Sequence, residues 1–85
     1  MTLILGRLRA APLPQSDRVA RAADPATSPW ELAELSGDQE PDVRLAVAAN
    51  PGASLLTIRR LQRDPDDRVR VVATTVGRDD GQAQG

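Results

Sequence analysis

The side chains with most chemical reach in this sequence are arginines. Arg59, Arg60, Arg63, Arg68 and Arg70 fall within a single short stretch, a density able to hold phosphates or carboxylates through forked, permanently charged donors. Arg44 and Arg70 offer a second arrangement, two guanidinium groups that can line up as an anion-binding row. Each has a plainer competitor. No aromatic residue interleaves with the cluster, and Asp64, Asp66 and Asp67 sit inside it, so a solvated helix face is expected there in preference to a phosphate groove. For Arg44 and Arg70, pairing with Asp42, Asp66 or a neighbouring turn competes with the row.

Catalysis has little to build on. The chain contains no His, Cys, Tyr or Lys, which removes the usual general acids and bases of neutral pH, the thiol nucleophile and every thiolate metal site. Glu31 and Glu34 stand three apart, the spacing of solvated acids on one helix face. Asp64-Pro65-Asp66-Asp67 lacks the later ligands of a calcium loop, and no glycine-rich phosphate loop is present. The expectation is a non-enzymatic protein without metal or cofactor.

The elements that position these residues follow from an internal repeat. Pro25 and Pro51, Ser28 and Ser54, Leu35 and Leu61, Asp38 and Asp64, Val43 and Val69, and Arg44 and Arg70 are all separated by 26 residues. Trp30/Leu56, Leu32/Ile58 and Leu45/Val71 extend the register with apolar pairs. A period of this length marks stacked supersecondary units. One period further back, Arg18-Val19-Ala20 matches Arg44-Leu45-Ala46 and Ala23-Asp24-Pro25 matches Ala49-Asn50-Pro51, so the chain opens with at least half a unit.

Inside each unit the helix signals are local. Ser28-Pro29-Trp30-Glu31 reads as a capping box with proline at the first helical position, followed by Leu32 and Leu35 and stopped by Gly37. Pro41 opens a longer helix carrying Val43, Ala46 and Val47 until Pro51 forbids continuation. The second copy runs from Ser54 through Leu61, turns at Asp64-Pro65-Asp66 and resumes over Val69 to Thr75. The Asp24-Pro25 and Asn50-Pro51 corners are expected to be structural, with the polar side chain capping freed backbone groups. One domain over 1–76 is expected, divided into a degenerate first unit (1–24) and repeats at 25–50 and 51–76, with a disordered tail at 77–85.

Taken together, Ala49-Asn50-Pro51, Leu55-Leu56, Leu61, Asp64-Pro65-Asp66 and Val69-Arg70 resemble the leucine-rich repeat variant family, with Ala23 to Ala48 as a weaker copy. The resemblance spans roughly Asp17 to Thr75. It implies an all-α, short right-handed α-solenoid of two and a half to three units in which α and 3₁₀ helices alternate, akin to HEAT-type repeats. It implies no single activity. Family members that carry a cysteine-ligated iron–sulfur segment differ here, since this chain has no cysteine.

Charge and size shape the functional expectation. The formal net charge is −1, but residues 23–50 carry six acids against Arg44, whereas 51–78 carry six arginines against three acids. Opposite signs on adjacent units suit association with a protein partner, a second copy of the chain included. The candidate surface comprises Arg44, Arg59, Arg60, Arg63, Arg70 and Trp30. Trp30 is read either as an exposed anchor or, as the equivalent of Leu56, as a core residue, and the core is favoured. A second candidate interface is apolar: Leu3, Ile4, Leu5 and Leu8; a membrane contact through this stripe would be marginal, and a packed N-terminal helix with no membrane partner is expected instead. The short apolar start, followed by Arg7 and Arg9, is not a signal peptide, and the cytoplasm is the expected location.

The competing function is DNA binding. Trp30 to Gly37, then Glu40 to Ala49, has the spacing of a helix-turn-helix. Its recognition helix would offer acids, Leu, Val and Ala, with Arg44 alone to read a base, and that reading leaves the 26-residue period unexplained.

Overall fold

A computed structural model describes residues 13–84, with side chains described through residue 77. The candidate interface at Leu3, Ile4, Leu5 and Leu8 lies outside the described residues. Among them every element is helical: α1 (Gln15–Ala23), α2 (Pro29–Leu35), α3 (Pro41–Ala49), α4 (Leu55–Leu61) and α5 (Asp67–Gln84). Short helices α2 and α4 alternate with longer α1, α3 and α5, and the order short helix, turn, long helix, Pro corner recurs with the period read from the sequence.

Capping chemistry fixes the starts. The Ser28 hydroxyl accepts from the Glu31 N–H at 3.2 Å, and Ser54 repeats this with the Thr57 N–H at 3.2 Å. Proline occupies the first turn of α2 and α3, where its missing N–H costs nothing. The capping box is half-formed, because the Glu31 carboxylate bonds Arg21 Nη1 at 2.7 Å and not its own cap. The expected 3₁₀ character is confined to helix ends. Both short helices are α-helical along their length and then tighten, with Gly37 N–H bonding Glu34 C=O and Arg63 N–H bonding Arg60 C=O. At the C-terminal end, α5 continues through Gln84, past the Thr75 boundary expected from the sequence. No proline follows Pro65, so the glycines there weaken the helix without forbidding it.

The core is one apolar seam shared by all units: Ala22, Leu32, Val43, Val47, Ala48, Ile58, Leu61, Val69 and Ala73 are buried. Most are repeat equivalents of one another, so each unit covers the seam of the next. Burying a residue such as Leu61 or Ile58 contributes about 2 kcal/mol, and no unit has enough of them to stand alone.

A polar brace crosses between units at the proline corner. Buried Asn50 donates through Nδ2 to the carbonyls of Ala22 at 2.8 Å and Asp24 at 2.9 Å, and its Oδ1 accepts from the Gly52 N–H at 2.8 Å. The last carbonyls of α1, which helix geometry leaves unpaired, are thus satisfied from the following unit. Gly52 suits this close approach, since a Cβ there would sit 3.2 Å from Asn50 Oδ1 and the amide would have to shift by a few tenths of an ångström. Asp24, the equivalent of Asn50, has no donor and only accepts from the Ala26 N–H at 2.8 Å. Replacing Asn50 by Ala should therefore cost about 2 kcal/mol in urea denaturation. Asp should cost more, because its carboxylate would face two carbonyls.

Candidate functional site

The sequence-predicted arginines separate into two groups. Arg44 is drawn inward. Its Nε and Nη2 grip Asp64 at 2.7 and 3.1 Å while Nη1 donates to the Asp38 carbonyl at 2.7 Å. Arg18 grips Asp38 in the same bidentate way at 2.7 and 3.2 Å, and its Nη1 donates to the Leu13 carbonyl. Arg70 repeats half the pattern, donating from Nη1 to the Asp64 carbonyl at 2.8 Å and pairing through Nη2 with Asp67. Each long-helix arginine thus holds the turn that precedes it, and Arg18 and Arg44 also hold the turn of the following unit. Of the partners expected from the sequence, it is the neighbouring turns, at Asp38 and Asp64, that Arg44 and Arg70 hold, and among the described residues neither pairs with Asp42 or Asp66. Asp42 instead meets Arg68 at 3.1 Å. A signal for the true pairing was present, since Arg18/Asp38 and Arg44/Asp64 share a spacing of 20 residues.

The turn aspartates do two jobs. Asp38 Oδ1 also accepts from the Glu40 N–H at 2.9 Å, and Asp64 Oδ1 from the Asp66 N–H at 2.9 Å, so each carboxylate closes its own turn while receiving an arginine. Partial burial pushes the Asp38 carboxyl up, but the Arg18 hydrogen bond, the Glu40 N–H and nearby Arg44 outweigh it and hold it below the usual carboxylate range. Asp66, bonded by Arg68 and by the backbone of Arg68 and Val69, is lowered as well. The hydrogen bond to Asp64 raises Arg44 above its ordinary value despite partial burial.

The second group faces outward. Arg59 and Arg60 are exposed on α4 and Arg63 in the turn that follows it; at i+3 and i+4 from Leu56, Arg59 and Arg60 share its helix face. Leu56 is 80% exposed and Leu55 49%. An open groove of about 330 Å³ is lined by Leu56, Arg59, Arg60, Gln62 and Arg63. Arg60 also reaches across to the end of α2, donating to Ser36 Oγ at 3.1 Å. Among the described side chains, Arg18, Arg21, Arg44, Arg68 and Arg70 form ion pairs; Arg59, Arg60 and Arg63 do not.

Trp30 corrects the core expectation: it is 76% exposed. Its equivalence to Leu56 holds, but both point outward. With Ser28 capping and Leu32 turned into the seam, Trp30 stands about 200° around the helix from Leu32. Equating apolar with buried put the second residue of each short helix in the core. Glu34, i+4 from Trp30, is exposed, as expected of a solvated acid on a helix face.

No cluster of metal-ligating side chains occurs among the described residues, and no described helix is long and apolar enough to cross a membrane. Among known proteins, residues 16–72 match the family model described as Leucine Rich Repeat Variant domain. Comparison with curated proteins and with solved structures finds no match.

Two outcomes follow from the arginine network. Arg44→Ala leaves Asp64, whose side chain is 5% exposed, buried without its counter-charge and should lower stability by about 3 kcal/mol. Arg44→Lys should recover only part, because one ammonium cannot span both turns, and half-exposed Arg70→Ala should cost under about 1 kcal/mol. For Asp38, whose carboxyl is depressed in the folded chain, stabilisation is complete above the unfolded value of about 3.9 and is lost as pH falls through the folded value. In urea titrations from about pH 7 to about pH 3, the advantage of the native chain over Asp38→Asn should stay level to about pH 5 and shrink below about pH 4.

Proposed function

The chain belongs to the leucine-rich repeat variant family, and on that premise we propose that it is a non-catalytic protein-interaction module whose binding surface is the outer face of α2 and α4. The observation that carries this reading is the outward placement of Trp30 and Leu56 at repeat-equivalent positions, beside three arginines that form no ion pair among the described residues. Exposing two large apolar side chains adds nothing to folding stability. Trp and Arg beside an apolar patch are the residue types on which interface energy concentrates.

Protein is favoured over DNA as the partner by α3. A helix-turn-helix reading needs that helix in the major groove, yet Val43, Val47 and Ala48 are buried and Arg44 is engaged with two turns. The inferred setting is the cytoplasm, with no cofactor. A photo-crosslinking residue at Leu56 should form protein adducts in host cells, and one at exposed Thr74 should not. Trp30→Ala combined with Arg59→Ala should abolish those adducts. Absence of adducts together with a salt-dependent mobility shift of generic duplex would replace this reading by nucleic-acid binding.

A further inference from the structure

We infer that the partner of this outer face is a second copy of the chain, docked about a two-fold axis that runs along the short helices so that α2 of each copy lies over α4 of the other. This rests on the reading of the face as a binding surface. It comes from the repeat itself. In such an arrangement every outward residue meets its own 26-residue equivalent on the partner. Trp30, 76% exposed, meets Leu56, 80% exposed. Glu34, exposed and outside every ion pair among the described residues, meets exposed Arg60, with Arg59 and Arg63 alongside. Both contacts occur twice, which makes the face self-complementary as an isologous dimer requires.

Charge selects this arrangement over its alternative. A two-fold axis running across the helices would lay α4 on α4 and oppose three arginines with three arginines, while Glu34 faced Glu34. Like charges in contact are disfavoured by several kcal/mol across an interface. The lengthwise axis converts both repulsions into attractions. Each copy contributes two large apolar side chains to the contact, so the association is expected to be weak and concentration-dependent.

Sedimentation equilibrium of the full chain from roughly 10 µM to roughly 1 mM should show a monomer–dimer equilibrium. Trp30→Ala should weaken it by about tenfold or more, as should each single reversal, Glu34→Arg and Arg60→Glu. An equimolar mixture of the two reversals should restore wild-type association. In the mixed dimer one Glu34/Arg60 contact is native and the other is inverted, so neither repels. Circular dichroism checks each variant, because Arg60 also bonds Ser36; if Arg60→Glu fails to fold, Arg59→Glu takes its place. A wild-type chain that stays monomeric throughout overturns the inference. If the Leu56 crosslinker still captures foreign protein in that case, the binding face stands with a different occupant. A dimer indifferent to all three substitutions also overturns it, since association would then use another surface.

Discussion

The guanidinium of Arg44 is the point on which the stacking of units turns. It stands where two turns from successive units converge, and it binds one by a carbonyl and the other by a carboxylate. A solenoid of this size gains little from any single apolar contact, because its core is made of Val, Ala, Leu and Ile without one large aromatic. Such a seam drives units together without fixing their rotation, since apolar contact is non-directional. A planar fork satisfied on both edges does fix it. The bidentate pairing admits one angle between the long helix and the next turn, and Arg18 sets the same angle one unit earlier.

Asn50 plays the complementary part at the other end of α3. The arginine clamp joins the start of a long helix to the turns, and Asn50 joins its end to the preceding unit through two carbonyls. Together they hold the unit of α3 at two places. Both rely on groups that cannot be exchanged for near relatives: Asp24 at the asparagine position accepts locally but has nothing to donate across the unit boundary. The brace therefore appears once and the clamp twice.

Much of the fold was legible in the sequence because repetition converts weak local signals into a register. The Ser caps, the prolines at Pro29, Pro41, Pro51 and Pro65 and the 26-residue offset located four helices and their family. The long-range pairing was harder to read. Asp42 and Asp66 stand near Arg44 and Arg70 in sequence, but Arg68 takes both carboxylates, and the Arg44 guanidinium reaches the turn of the next unit instead. The site was only half legible. The basic character of α4 could be read directly, whereas the outward turn of Trp30 and Leu56 depends on which helix stripe meets the seam. In a helix of seven residues the apolar positions alone do not settle that.

Comparing the two units position by position separates what the fold demands from what it leaves open. Inward positions agree in character: Leu32 with Ile58, Val43 with Val69, Ala22 with Ala48, Asp38 with Asp64. Outward positions of the short helices do not. Ala33 and Glu34 in one unit become Arg59 and Arg60 in the other, and in the turn that follows Gly37 becomes Arg63. A stacking constraint would impose the same chemistry on both units, as the clamp and the seam do. The reversal from acidic to basic along one face therefore answers to something outside the seam. The one apolar element common to both units on that face, Trp30 with Leu56, is what a binding surface would keep while its charges diverge.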